Sequence, residues 1–190
     1  MKFALAAVLA LAATTVSAET WTLDGDSSMI GFGSVKSDSV GESHKFTDMT
    51  GTVSKDGMVD IVLDLGSVDT AIDIRNERMM EHVFKMTPNA QLTAEIDMEA
   101  MQSLEVGGTM MSVVEGTVMF LGQAVFVDLP VVAARLSEDQ VLIMSDGVTY
   151  ISTAELGIDS GLDMLQEIAG LDRIDRAVPV TVRFMFNAGA

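Results

Sequence analysis

The chain has 190 residues, of which 48% are hydrophobic, and it contains no cysteine. Its length suits one domain of ordinary size, and without disulfides or thiolate ligands that domain must be held by an apolar core and by backbone hydrogen bonds. The formal charge of −17 repels phosphate backbones, so nucleic acid is not an expected partner.

The first 18 residues have the pattern of a secretory signal peptide. The stretch MKFALAAVLALAATTVSA carries Lys2, then a run of Ala, Leu and Val, and a small-x-small end at Val16–Ala18. A membrane anchor is the alternative, but the apolar run is shorter than the roughly 20 residues that span a bilayer. We therefore expect cleavage after Ala18, a single domain over residues 19–190, and a periplasmic location.

Most of the remaining chain alternates between apolar and polar residues with a period of two. The run VDIVLDL places Val59, Ile61 and Leu63 on one face and Asp60 and Asp64 on the other. The runs QLTAEID and VTVRFMF repeat this pattern, and glycine-containing turn signals separate the runs. Many short strands with such turns predict an all-β sandwich or an antiparallel barrel.

Two segments have helical spacing instead. One is SGLDMLQEIAG, in which Leu162, Leu165 and Ile168 lie on one side and Gly170 is placed to end the helix. The other lies within SVDTAIDIRNERMMEHVF, at residues 67–84. Both are expected to be short helical insertions between strands, where they can cap the mouth of a barrel.

Signals for catalysis and for metal binding are weak. The chain has two histidines, His44 and His82, and it has neither a G-x-S-x-G nor an H-E-x-x-H motif. Met79, Met80 and Met86 surround His82 as soft ligands for copper would. In a chain with 15 methionines, an apolar lining is the preferred interpretation of this group. We expect no enzyme, no metal site and no cofactor, and a hydrolase that uses Asp or Glu is left as an open alternative.

The 67–84 segment also resembles the signature of a protein family. Ser67–Thr70 is SVDT, and Arg75 follows it. This is similar to the Ser-Val-Asp-Thr strand end and the Arg-Asp-x-His-Leu box of the YceI-like family, exported bacterial proteins that bind polyisoprenoid lipids. Asn76, Arg78 and Met79 stand where that box has Asp, His and Leu. The stretches WTLDGDSSMIGFGSVK and VEGTVMFLGQAVFVDLPV resemble the opening strand pair and a late hairpin of the family.

The resemblance implies an extended, lipocalin-like antiparallel barrel of about eight strands. It also implies a long isoprenoid ligand, such as a quinone or a polyprenyl chain, held in an apolar cavity. The expected function is that of an extracytoplasmic carrier or buffer for this lipid. The alternative is an acidic periplasmic interaction protein of a membrane redox or stress-response system, without a lipid. A membrane-protein partner and a homodimer fit either function.

The candidate lipid-binding residues are aromatic side chains together with residues of the 67–84 segment. The phenylalanines are expected to face one shared interior, and the apolar residues of the segment are expected to contact a lipid tail. Arg75 is expected to tie the segment to the fold, and Arg78 to hold a polar headgroup. The candidate set is Phe32, Phe46, Arg78, Met79, Met80, Val83, Phe84, Phe120, Phe126 and Phe184.

Overall fold

The computed structural model describes residues 20–189, so the expected signal peptide lies outside the described residues. A 3-10 turn covers Leu65–Ser67, and the first helix continues directly into a π-helical turn, Met79–Val83. The α-helices are α1 (Asp73–Arg78), α2 (Met98–Ser103) and α3 (Asp159–Ala169). The strands are β1 (Trp21–Lys36), β2 (Val40–Phe46), β3 (Met49–Val53), β4 (Met58–Asp64), β5 (Val68–Asp69), β6 (Asn89–Glu95), β7 (Thr109–Phe120), β8 (Gln123–Ser137), β9 (Gln140–Ser145), β10 (Thr149–Ser152) and β11 (Ala177–Ala188).

Eight strands close into an antiparallel barrel. The ring runs β11-β9-β8-β7-β6-β4-β3-β1 and is closed by β1 pairing with β11, with Trp21 opposite Ala188 and Phe32 opposite Val180. β2 and β10 extend the wall by pairing with β1 and β11, and β5 pairs with β2. Closure leaves the ring itself without a free edge. The predicted antiparallel barrel of about eight strands is confirmed.

β1 is a single bent strand, whereas the resemblance implied a pair of strands for this stretch. Its register against β11 shifts between Asp24 and Met29, and at this bulge the amide of Met185 donates to the hydroxyl of Ser28 at 3.0 Å. The start of β1 pairs with β3, and its end pairs with β2. Because a bulge bends a strand locally, one strand serves two neighbours.

The structure has one more helix than the two that were predicted. α2 was missed because its six residues are too few to show helical periodicity. Its start is fixed by Asp97, whose side chain accepts a hydrogen bond from the amide of Ala100 at 3.0 Å. The expected end of α3 is confirmed, since Gly170 has the left-handed conformation with φ of 62°.

The inward faces of the strands form the core, and the helices lie at the two ends of the barrel. Val59, Ile61 and Leu63 are buried while Asp60 is exposed, as the alternation predicted. α3 packs on the π-helical turn at one end, where Gly161 allows close contact. A Cβ at Gly161 would lie 2.4 Å from the carbonyl oxygen of His82. α2 lies at the opposite end, beside the last residues of β6 and β8.

Candidate functional site

The lumen of the barrel contains two neighbouring cavities that share part of their lining. We name them by the helix at their end: the α2-end cavity has a volume of about 580 Å³ and the α3-end cavity about 420 Å³. Both volumes lie within the range of about 300–1,000 Å³ typical of ligand pockets. Four apolar residues line both cavities and mark the waist between them: Ile61, Leu92, Leu129 and Val182.

The α2-end cavity is an apolar chamber with a polar rim. Trp21, Met98 and Phe184 are among its lining residues, and Arg135 lies at its edge. The guanidinium of Arg135 donates to the carbonyl oxygens of Gln102 and Leu104, both at 3.1 Å. These bonds anchor the end of α2 to β8 and so fix the outer wall of this chamber.

A connected series of aromatic rings lines the α3-end cavity. The ring centroids of Phe32 and Phe46 are 5.1 Å apart, those of Phe46 and Phe84 are 5.8 Å apart, and those of Phe84 and Phe120 are also 5.8 Å apart. Such spacings are those of favourable aromatic contacts. The series joins β1, β2, the π-helical turn and β7 into one apolar wall.

The same cavity changes from apolar to charged along the paired strands β1 and β2. The register sets Ile30 opposite Phe46, then Phe32 opposite His44, then Ser34 opposite Glu42. These side chains share one face, because residues two apart in a strand point the same way, and all six line the cavity. The deep part of the cavity is therefore apolar and its mouth is polar.

Arg75 is held by two hydrogen bonds near the mouth. Its guanidinium donates to a carboxylate oxygen of Glu42 at 2.8 Å and to the carbonyl oxygen of Thr70 at 2.6 Å. Lys36 lies 3.0 Å from the other Glu42 oxygen. Burial acts to raise the pKa of Glu42, but the hydrogen bonds from Arg75 and Lys36 outweigh it and leave that pKa below its usual value. Arg75 thus ties α1 to β2 and to the end of β5, as predicted.

Asn76, which stands where the box of the resembled family has Asp, supports the same turn. Its side-chain oxygen accepts hydrogen bonds from the amide of Thr70 at 2.9 Å and from its hydroxyl at 2.6 Å. An aspartate could accept both bonds equally well. Compared with an aspartate, Asn76 therefore keeps these two bonds and carries no negative charge.

Within residues 20–189, Arg78 differs from Arg75 in having no hydrogen-bond or ion-pair partner. It is half-buried and lines the α3-end cavity. Within residues 20–189 its side chain makes no hydrogen bond and has no carboxylate within 4.0 Å. An arginine in such a position has free donors to offer to a polar group in the cavity mouth.

The structure brings seven of the ten candidate residues together around the α3-end cavity, and the other three lie elsewhere. Met80 packs at the edge of the core without lining either cavity, and Phe184 lines the α2-end cavity. Whether any of them contacts a lipid stays a prediction. The α3-end cavity is lined by Phe32, Phe46, Arg78, Met79, Val83, Phe84 and Phe120.

Phe126 is a correction, because the prediction that it faces the shared interior was wrong. Its side chain is 83% exposed, and its neighbours Val125 and Val127 point inward instead. β8 is apolar on both faces, so hydrophobicity alone does not tell the two faces apart. Residues two apart in a strand lie on the same face, so Phe126 shares its face with the charged Asp128. This position of Asp128 was the available signal that Phe126 points to solvent.

Sequence reasoning also missed His44. This side chain is only 7% exposed and it lines the α3-end cavity. Its Nε2 lies 3.1 Å from the hydroxyl of Ser34, and its ring centroid is 5.2 Å from that of Phe32. Burial, followed by the positive charge of Arg75, lowers the pKa of His44, so the ring is neutral near pH 7. The available signal was again the spacing along the strand, since His44 lies two residues before the inward-facing Phe46 and so shares its face.

Between residues 20 and 189, no cluster of three or more His, Asp or Glu side chains is arranged to hold a metal ion. None of the helices in that range has the length and apolar character needed to cross a membrane.

Comparison with known proteins agrees with this architecture. A family model described as the YceI-like domain matches residues 21–186. A polyisoprenoid binding domain from Saccharophagus degradans, implicated in plant cell wall breakdown, is 30% identical and has a TM-score of 0.86; the match covers 89% of this chain and 98% of that one. No curated protein matches the chain.

A second solved structure, BcnA from Burkholderia cenocepacia, is 16% identical with a TM-score of 0.62, and the match covers 86% of this chain and 98% of that one. At this identity the likeness supports the fold alone. The family model, in contrast, spans nearly the whole barrel and confirms the resemblance carried by the SVDT segment. This protein belongs to the YceI-like family.

Proposed function

We propose that this protein is an extracytoplasmic binding protein that carries or buffers one isoprenoid lipid in its barrel. The observation that carries the proposal is the shape and chemistry of the lumen, in which two apolar cavities share a waist and the α3-end cavity opens at a polar mouth that carries Arg78, a cation without a partner within residues 20–189. A quinone or a polyprenyl lipid has the same plan, with a long apolar tail and a small polar end.

The energetics favour binding without catalysis. Each methylene buried from water contributes about 0.8 kcal/mol, so a long tail that enters the lumen gains more than any single polar contact could supply. The relative from Saccharophagus degradans is a polyisoprenoid binding domain, which supports the same ligand class. The predicted signal peptide supports a location outside the cytoplasm.

Arg78 is the proposed headgroup contact at the mouth, while Met79, Val83 and Phe84 from the same segment contact the tail. The test is a matched pair of variants, Arg78→Met and Arg75→Met, each scored for thermal midpoint and for lipid retained during purification. Arg78→Met should lose lipid at an unchanged midpoint. Arg75→Met should lower the stability by about 1–3 kcal/mol, because it removes two charge-assisted hydrogen bonds.

The ligand itself is identified by native mass spectrometry of the purified protein, followed by organic extraction. The expected result is an isoprenoid lipid bound with a ratio of one per chain. A preparation without lipid that also fails to bind added polyprenol would contradict the proposal.

The alternative function, an acidic interaction protein, has one specific observation in its favour. Met119 and Phe126 are large apolar side chains exposed on the outward face of β7 and β8, where Phe126 lies opposite Thr117 and Met119 two residues further along, and exposed apolar patches commonly mark protein interfaces. A membrane-protein partner or a homodimer would cover them. Phe126→Asp should then abolish a salt-sensitive pull-down from membranes, or dimer formation in sedimentation, and leave lipid binding intact.

A further inference from the structure

His44 has a buried ring nitrogen without a partner at the point where the α3-end cavity changes from apolar to polar. The Nδ1 atom of His44 is buried and makes no hydrogen bond within residues 20–189. The other ring nitrogen is engaged with Ser34, and the ring packs against Phe32. A buried polar atom left unpaired destabilises the folded state, so a partner is expected.

The cavity offers the space from which a partner can come. His44 is a lining residue, and the strand pair places apolar Phe46 deeper and charged Glu42 nearer the mouth. A lipid whose tail fills the apolar part would therefore bring its first polar atoms to the level of His44.

We propose that His44, backed by Ser34, binds an uncharged oxygen group at the polar end of the ligand, either a carbonyl or a hydroxyl. The inference rests on the proposed lipid-binding function and names the chemistry of the headgroup that the site accepts.

The His44–Ser34 pair suits both forms of such a group. A neutral imidazole carries one N–H, and the serine hydroxyl can donate or accept. When Nε2 accepts from Ser34, Nδ1 carries the hydrogen and donates to a carbonyl oxygen. When Nε2 donates to Ser34, Nδ1 accepts from a hydroxyl. Burial lowers the pKa of the ring, and the nearby charge of Arg75 lowers it further, which keeps both neutral tautomers available near pH 7.

A diphosphate suits this position poorly. The two cations near His44, Lys36 and Arg75, already form ion pairs with Glu42, at 3.0 and 2.8 Å, which leaves the buried Nε of Arg75 as a single donor without a partner within residues 20–189. The Glu42 carboxylate lies two residues from His44 on the same face of β2, where it repels a second anion. Burying several uncompensated charges beside the Phe32 ring is costly. Arg78 is free, but it is a single cation at the mouth.

The experiment uses three ligands with the same tail: farnesol, farnesal and farnesyl diphosphate. Their dissociation constants are measured by calorimetry on the folded, lipid-free protein and on His44→Phe. This substitution keeps an aromatic ring against Phe32 and removes both ring nitrogens. The control is His82→Phe, the same change at the other histidine, which lies outside both cavities. Ser34→Ala is the second variant and tests the backing hydroxyl.

We expect wild type to bind farnesol and farnesal more tightly than farnesyl diphosphate. His44→Phe should weaken farnesol and farnesal about tenfold, the factor that corresponds to one hydrogen bond of about 1.4 kcal/mol, and leave farnesyl diphosphate unchanged. The thermal midpoint of His44→Phe should be unchanged or higher, because an unpaired buried nitrogen is removed. A histidine needed only for folding would lower the midpoint instead.

Several outcomes overturn the inference. It fails, with the lipid-binding function intact, if His44→Phe binds farnesol and farnesal as wild type does, or if wild type prefers the diphosphate. If only one of the two uncharged ligands responds to His44→Phe, the site is specific for that group and the tautomer exchange is wrong. If wild type binds none of the three ligands, the proposed function itself fails.

Discussion

At the residue scale, side chains in this lumen fall into those that fill space and those that hold polar atoms. Phe84 belongs to the first kind, since it is 3% exposed and contacts the rings of both Phe46 and Phe120. Phe126 is the natural contrast, because it is the same residue type on an outward strand face. Truncating each phenylalanine therefore tests whether the free energy of unfolding depends on the burial of the side chain or only on the residue type.

Phe84→Ala should lower the free energy of unfolding by about 3–5 kcal/mol, which is the cost of truncating a buried aromatic side chain. Phe126→Ala is the control and should change it by less than about 0.5 kcal/mol, as exposed substitutions usually do. Urea denaturation at neutral pH measures both. A large loss for Phe126→Ala would show that its face is covered in solution, as a dimer would cover it.

His44 belongs to the second kind and gives the fold a dependence on pH. Because its pKa in the folded protein is below the ordinary value of 6.5, the unfolded chain binds protons more readily as the pH falls below that value. The part of the stability that depends on a neutral His44 is therefore fully present above about pH 6.5, and it is lost as the pH falls below that value. Glu42, whose pKa is lowered from 4.5, adds a further loss only at more acidic pH.

The thermal midpoint of wild type should therefore fall between about pH 7 and pH 5.5, and that of His44→Phe should fall less. Lys36, Arg75, Glu42 and Asp69 are the charged groups that influence His44. Parallel curves for the two proteins would show that His44 does not titrate in this range.

At the element scale, strands were easier to predict than helices or faces. The alternation in β4 and β6 was visible because acidic residues mark the outer face. β8 lacks such marks over most of its length, which is why Phe126 was misplaced. α2 was too short to show a period, and the bulge that bends β1 leaves no signal in hydrophobicity. The candidate site was predicted at the 67–84 segment and at Phe32, Phe46 and Phe120, whereas His44 and the α2-end cavity depend on pairings between distant strands.

The contact between α3 and the π-helical turn depends on one glycine. A Cβ at Gly161 would lie 2.4 Å from the carbonyl oxygen of His82 and 2.7 Å from the Cα of Val83. Real Cβ atoms do not approach backbone this closely, so the helix or the turn would have to move. This contact holds the wall formed by Val83 and Phe84 in place over the α3-end cavity.

Gly161→Ala should therefore lower stability by about 1–3 kcal/mol, the usual cost of overpacking. Helix propensity alone predicts the opposite sign, a gain of about 1 kcal/mol for Ala over Gly. Gly41→Ala is the control, because a Cβ at Gly41 meets no atom within 4 Å. Thermal and urea unfolding of the two variants decide the sign. A Gly161→Ala variant as stable as wild type would show that α3 is not held tightly.

At the scale of the whole molecule, the two cavities act as one binding site only if a single ligand passes the waist. The proposed headgroup position lies at the mouth of the α3-end cavity, so a short tail remains on that side of the waist. A long tail must continue past Ile61 and Leu92 into the α2-end cavity. Tail length should therefore determine which ligands respond to a change in the α2-end cavity.

Ala133→Trp tests this continuity, since Ala133 lines the α2-end cavity and a tryptophan there would occupy part of its volume. Binding of solanesol, a long isoprenoid alcohol, should weaken by at least about tenfold, because displacing a few methylenes at about 0.8 kcal/mol each is enough. Farnesol, with a short tail, should bind as it does to wild type. Ala124→Trp places the same side chain on the exposed face of β8 and should affect neither ligand.

An equal loss for both alcohols would mean that short tails also reach the α2-end cavity. No loss for solanesol would mean that long tails leave the barrel before the waist, and the lumen would then hold only the polar end of its ligand.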